Sequence, residues 1–319
     1  MNGGVDSLDH IGIAVADLAA AAATYRRLGF QLTPLQQQSG PLEPGGPVVR
    51  WGSANHCAML EQGYLELIGV VDPALYDNQL GAFLARYHGI HIMALGVADA
   101  AAEVERLRQS GLAVPGVRPM QRPVATPDGV SEVRFKRVPL AEAPEGRIQL
   151  IEHLTPELMW QDHLLDHPNR AVALTETVLC VADIAATAER FRRLAGSAPL
   201  RHGKARIFAF AAGRLVLCDP ASLGDFMTDA SLINGAPPTL PWFAGFSVAT
   251  DDGNAAVRQI LLRNGVAFAE HGGGDLVVPA ALASGAACRF QPRAPSPRPY
   301  SPKRVRNASI AARNEGERR

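Results

Sequence analysis

Four residues stand in a pattern that can do chemistry. His10 and Glu66 lie 56 residues apart, and His91 and Gln149 lie 58 apart. Both intervals end in segments that align without a gap, GYLELIGVVDP (63–73) and GRIQLIEHLTP (146–156), so Glu66 and Gln149 hold the same place in each. Imidazole nitrogens, carboxylates and amide oxygens ligate divalent ions, and His and Glu also move protons near neutral pH. Beside them, Asn55 and His56 open a strand next to the one bearing Glu66. His56 there suits a general base or a substrate contact, and a purely structural Asn-His pair fits equally well. Arg118 and Arg122 can meet a substrate carboxylate as two-pronged donors at the mouth of a site, or stay solvated on a loop. Glu152 is a harder, anionic alternative to Gln149, but its odd offset of three residues puts it on the opposite face of a regular strand. His153 and Glu157 begin a connector, where capping or packing is the expected job.

Those positions are set by an internal repeat. LDHIGIAVADL, GIHIMALGVADA, ALTETVLCVADI and WFAGFSVATDD, starting at 8, 89, 173 and 242, are alternating apolar runs. Each leads through an Asp into a helical stretch that ends on Gly29, Gly111, Gly196 or Gly265. The Asp is placed to accept from the first free N–H groups of the helix, and the Gly to turn left-handed at its end. Further strand-like runs follow every helix, beginning in the first copy with FQLTP, NHCAML and GYLELIGVV. The order strand–helix–three strands, four times over, predicts an α+β fold of four βαβββ modules. Paired sheets then give two half-open barrels, at 1–156 and 172–292. Residues 157–171 form the connector between them.

Composition narrows the classes. The 319 residues are 47% hydrophobic, enough for two cores, and carry 31 basic against 31 acidic side chains. The Pro- and Arg-rich segment 293–319 holds eight basic and two acidic residues, a net of +6, which leaves −6 for residues 1–292. That tail cannot bury a core and reads as disordered. A mildly acidic body argues against nucleic acid as its partner. No uninterrupted apolar run of ~18 residues argues for a membrane span, and no basic-then-apolar leader opens the chain. With Cys57, Cys180, Cys218 and Cys288 widely spaced in apolar surroundings, the expectation is reduced, buried thiols in a cytoplasmic protein.

LDHIGIAVADL, the helix after it and GYLELIGV resemble the vicinal oxygen chelate superfamily. WGSANHCAML, GYLELIGVVDP and EHLTPELMW are similar, more narrowly, to bacterial glyoxalase-like domain proteins. The resemblance implies a divalent metal (Mn, Co, Ni, Zn or Fe(II)) held by His10, Glu66, His91 and Gln149, with Glu152 as the alternative fourth ligand. It implies an enzyme of the lyase or isomerase kind, in which a small oxygenated substrate chelates the metal through neighbouring oxygens. Glu66 or His56 would move a proton, and Asn55, Arg118 and Arg122 would hold the substrate. A homodimer is the assembly left open. Two alternatives stand beside this: a metal-free small-molecule binder of the bleomycin-resistance type, and a non-heme iron ring-cleaving dioxygenase.

Two features bear on the choice. His91 lies eight residues before Asp99 whereas His10 lies seven before Asp17, so His91 faces outward unless a bulge absorbs the shift. In the second half Glu176 replaces His10 and Val216 replaces Glu66, so only the first half looks equipped for chemistry.

Overall fold

The computed structural model describes residues 4–43, 45–227 and 238–293. The first module consists of β1 (Ser7–Ala14), α1 (Leu18–Arg27), β2 (Gln36–Pro41), β3 (Val48–Met59) and β4 (Tyr64–Val70). A short helix α2 (Leu80–Leu84) precedes the second: β5 (Gly89–Gly96), α3 (Ala100–Gln109), β6 (Arg118–Thr126), β7 (Gly129–Pro139) and β8 (Arg147–His153). After α4 (Pro156–Met159) come β9 (Ala171–Cys180), α5 (Ile184–Ala195), β10 (Leu200–His202), β11 (Ala205–Ala209) and β12 (Arg214–Cys218). The last module holds β13 (Trp242–Thr250), α6 (Ala255–Arg263), β14 (Ala269–Glu270), β15 (Leu276–Val278) and β16 (Ala287–Pro292).

In every module the first strand pairs in parallel with the fourth: β1 with β4, β5 with β8, β9 with β12, β13 with β16. Antiparallel pairing of β1 with β5 joins the first two modules, and β9 with β13 joins the last two. The result is an open sheet that leaves a concave face in each half, the architecture expected from the repeat. Phe243 pairs with Ile90 across the two halves, which isolated bridges between Ser7 and Ala212 and between Gln62 and Ala173 also join. One apolar cluster, including Leu8, Tyr25, Leu95, Phe191, Phe246 and Phe290, runs through both halves.

Local signals explain the helices. Asp17, Asp99 and Asp183 accept from N–H groups at the starts of α1, α3 and α5. The fourth helix departs from the pattern: Asn254 is its cap residue, and Asp252 reaches forward to the Ala256 N–H. All four helix-ending glycines have positive φ, between 61° and 85°. One strand expectation fails. FQLTP is not a strand, and β2 falls instead on the polar Gln36–Pro41, held by pairing to β3 and by the Gln37 amide on the Trp51 carbonyl.

The connector is ordered and buries apolar area. Met159, Trp160 and Leu164 pack with Cys57, Met59, Tyr64 and Val133, and the Trp160 indole donates to the Leu60 carbonyl. It thereby closes one end of the first concave face. All four cysteines are buried and free. No helix among the described residues is long and apolar enough to cross a membrane. The basic tail, save Arg293, lies outside the described residues.

Candidate active site

Strand register decides which side chains share the first concave face. Across β1 and β4, His10 stands opposite Tyr64 and Gly12 opposite Glu66; across β5 and β8, Ile92 stands opposite Arg147 and Ala94 opposite Gln149. Glu66 and Gln149 are therefore equivalent. The residue equivalent to His10 is Ile92, not His91. A cavity of about 100 Å³ opens here, lined by His10, Tyr64, Glu66, Gln149, Ile92 and Arg137 among others.

His91 does not reach it. Its ring is fully buried on the opposite face of β5, stacked 3.9 Å from Tyr87 and 5.0 Å from Phe83, with Nε2 2.8 Å from the Tyr87 carbonyl. Burial, joined by the charges of Arg86 and His88, pushes its pKa down to about 4. A depressed histidine pKa means the unfolded chain takes up a proton first, so stability falls as pH drops from the unfolded value toward 4 and levels off below it. His91→Phe keeps the ring stack but removes the titration. Relative to the parent, this variant should gain about 2 kcal/mol between pH 7 and pH 5. Urea unfolding at the two pH values checks this, and an identical pH response in both proteins would disprove it.

Three other expected residues also lie elsewhere. His56 pairs with Leu67 on β4 and so faces away from Glu66, which stands opposite Cys57; its Nδ1 is 2.7 Å from the Thr33 carbonyl. Asn55, the neighbour on β3, is the one that faces the cavity, donating to Glu66 Oε1 at 2.5 Å. Glu152 caps α3 by accepting from the Ala100 N–H at 2.9 Å and pairs with Lys136 at 3.1 Å. Arg122 lines the cavity, bonded to Gln36 and to Met159 Sδ. Arg118, at the exposed far end of β6 opposite Arg137, is outside its lining.

The donor set therefore does not fit a resident divalent ion. Ile92 presents hydrocarbon where a second histidine was expected. Gln149 Oε1 lies 3.4 Å from the Arg137 guanidinium, and Glu66 also accepts from Gln38 at 3.3 Å. Among the described residues no group of three or more His, Cys, Asp or Glu side chains is placed to hold a metal. Cys57 also lines the cavity, but burial together with the Glu66 charge pushes its thiol up to about 12, so it is no nucleophile at neutral pH.

What the cavity does contain is a linked acid–base group. His10 Nδ1 lies 2.7 Å from Asp9 Oδ1, and Asp9 Oδ2 lies 3.0 Å from Nε2 of His153, which also lines the cavity. Burial alone would raise the Asp9 carboxyl, but the charge of His153 and hydrogen bonds from both imidazoles hold it well below the usual carboxylate range. Asp9 would ordinarily face away from His10. The pairing of β1 to β5 passes over it, with Leu8 opposite Leu95 and His10 opposite Ala94, and this bulge brings its carboxylate back to the His10 ring. Tyr64 stacks 4.3 Å from His10 and fixes the ring from the other side. With Nδ1 engaged, the His10 nitrogen left for a ligand is Nε2.

In the second half, Glu176 stands opposite Arg214 as His10 stands opposite Tyr64. It is sealed by Arg214, Arg289 and Ser247.

The glyoxalase-like domain family matches residues 8–195. No curated protein matches the chain. Solved structures share its fold. A hypothetical protein from Staphylococcus aureus superposes with a TM-score of 0.54 at 12% identity, over 90% of this chain and 99% of that one. A mutant 4-hydroxymandelate synthase from Streptomyces coelicolor gives 0.55 at 13%, over 95% and 96%. The Mn(II)-bound glyoxalase from Novosphingobium aromaticivorans gives 0.51 at 11%, over 90% and 82%. Likeness at these identities speaks of the fold alone.

Proposed function

The chain belongs to the glyoxalase-like domain family, within the vicinal oxygen chelate superfamily, and from that premise we propose that its first half is an enzyme site for proton transfer on a small oxygenated substrate. The reaction class is isomerase- or lyase-like: a proton leaves carbon next to a carbonyl and is returned elsewhere. The observation that carries the reading is the buried Asp9 held between His10 and His153 at the wall of the cavity.

Asp9 accepts from Nδ1–H of His10, which fixes the tautomer whose Nε2 lone pair faces the ligand. That nitrogen takes the proton, and the Asp9 carboxylate stabilises the imidazolium that forms. Oxyanion charge developing on the substrate meets the guanidinium side of the cavity, at Arg137 and Arg147. Glu66, tied to Asn55 and Gln38, orients polar partners rather than serving as the base.

The test is deuterium exchange into a panel of 2-oxo and 2-hydroxy acids, followed by proton NMR with the full-length protein. Exchange on at least one compound, lost in His10→Gln and unchanged by chelator, is the expected result. Exchange that survives His10→Gln, or that requires an added metal, defeats the proposal. Tight binding without exchange in the parent protein would identify a binder instead, a reading favoured by the Tyr64, Phe135 and Met120 portion of the wall.

A further inference from the structure

Three guanidinium groups line the first cavity, those of Arg122, Arg137 and Arg147, and their partners are of an unusual kind. Arg147 donates through Nη2 to the carbonyl and side-chain oxygens of Asn78 at 2.8 and 3.0 Å, and lies over the Phe83 ring. Arg137 reaches Gln149 Oε1 at 3.4 Å and Met120 Sδ at 3.7 Å, and its buried Nε has no hydrogen-bond partner. Arg122 touches an amide oxygen and a thioether. Among the described residues, none of the three forms an ion pair with a carboxylate. Other half-buried arginines are paired with carboxylates, as Arg106 is with Glu103, Arg190 with Glu145 and Arg289 with Glu176.

Holding guanidinium groups together with too little counter-charge is costly, and a fold tolerates it where a ligand supplies the missing anion. Burial lowers both Arg137, to about 10, and Arg147; Arg147 and Arg118 depress the first further, and the Glu66 charge partly offsets the shift of both. Glu66 is the carboxylate of the same wall; Asp9 lies behind the lining, committed to its two histidines. Against the three positive charges of the lining, one negative charge leaves positive charge unmatched. The planar guanidinium forks suit a carboxylate held by two parallel N–H···O bonds.

We propose that Arg137 and Arg147, with Arg122 beside them, form a carboxylate subsite, and that the ligand of this cavity is a small carboxylic acid. Its carboxylate sits on the guanidinium groups by two-pronged hydrogen bonds, replacing the weak Gln149 and Met120 contacts and reaching the orphaned Arg137 Nε–H. The oxygen-bearing carbon next to that carboxylate then falls on the His10 side of the same cavity. This last step rests on the proton-transfer reading given above; the carboxylate subsite itself does not.

Calorimetry with the full-length protein at fixed salt tests it, using pyruvate, mandelate and benzoate, each against its neutral amide, together with inorganic phosphate. At least one carboxylate should bind, with its amide at least ~10-fold weaker, and Arg137→Gln should weaken the acid ~10–100-fold while leaving the amide unchanged. Arg137→Gln should also melt no lower than the parent when ligand-free, because it removes an unpaired charge rather than a support. Amides binding as well as their acids, phosphate binding more tightly than every acid, no binding at all, or an unchanged affinity in Arg137→Gln would each overturn the subsite. His10→Gln separates the two proposals. It should keep the acid's affinity within ~3-fold while abolishing exchange, as expected of a group that moves a proton and does not anchor the carboxylate. Lost affinity in His10→Gln together with an unaffected Arg137→Gln would place the anion at the histidine and refute the arginine subsite.

Discussion

Asp9→Asn should slow exchange at the substrate carbon by ~10²–10⁴-fold while leaving carboxylate affinity nearly unchanged. Asn is close in size to Asp, so the bulge in β1 and the packing around it survive. The electrostatics do not. Asp9 offers two acceptor oxygens to two imidazoles, at 2.7 Å to His10 and 3.0 Å to His153. An amide offers one acceptor and one donor, so one imidazole must present a lone pair where it had an N–H. If that ring is His10, its proton moves to Nε2, and the nitrogen that should take the substrate's proton already carries one. Even with the correct tautomer, the imidazolium formed in the reaction would no longer stand beside a negative charge.

The same residue sets a pH signature. Its folded pKa is depressed, so its stabilising contribution is complete above the unfolded aspartate value near 3.9 and is lost as pH falls through the lower folded value. Asp9→Asn should therefore cost stability at neutral pH and progressively less in strong acid. Rate by NMR and stability by urea unfolding read the two effects separately. An exchange rate within a few-fold of the parent would show that Asp9 only holds the strand.

How much of this was legible beforehand follows from which signals are local. Each first strand, its Asp and its closing Gly lie within one short stretch, so the repeat and the α+β architecture could be read directly. The equivalence of Glu66 and Gln149 rested on a gapless alignment, and the strand register agrees with it. The equivalence of His10 and His91 rested on residue type. Counting back seven from Asp99 reaches Ile92, as counting back seven from Asp17 reaches His10, and that count matches the pairing. Offset from the helix cap was the better guide than the presence of a second histidine. Asp9 could not be found this way, because alternation places it on the wrong face and only a bulge visible in the β1–β5 pairing reverses that. Arg137 and Arg147 were missed for another reason. They come from β7 and from the start of β8, and arginine there reads as a solvated strand end until the cavity is seen.

Glu176→Ala should destabilise the protein by about 3–5 kcal/mol, the cost of stripping one partner from a buried ion cluster. The reasoning links the two halves of the molecule. Glu176 occupies in β9 the place that His10 occupies in β1, and it is 0% exposed. Its oxygens accept from Arg214 at 2.6 Å, from Arg289 at 2.5 Å and from Ser247 at 3.2 Å. Arg289, 13% exposed, loses its closest carboxylate and is left with neutral partners and a distant Asp275. Glu176→Gln preserves hydrogen-bond acceptance without the charge and should fall between. Glu176→Leu combined with Arg289→Met, which removes both charges, should recover part of the loss. The contrast bears on the proposal that places the chemistry in the first half. Where β1 turns a histidine toward a cavity whose arginines have no ion-pair partner among the described residues, β9 turns a carboxylate directly onto Arg214 and Arg289. Urea midpoints decide it: a loss under about 1 kcal/mol in Glu176→Ala would place the cluster among surface pairs of small consequence and remove this account of the division.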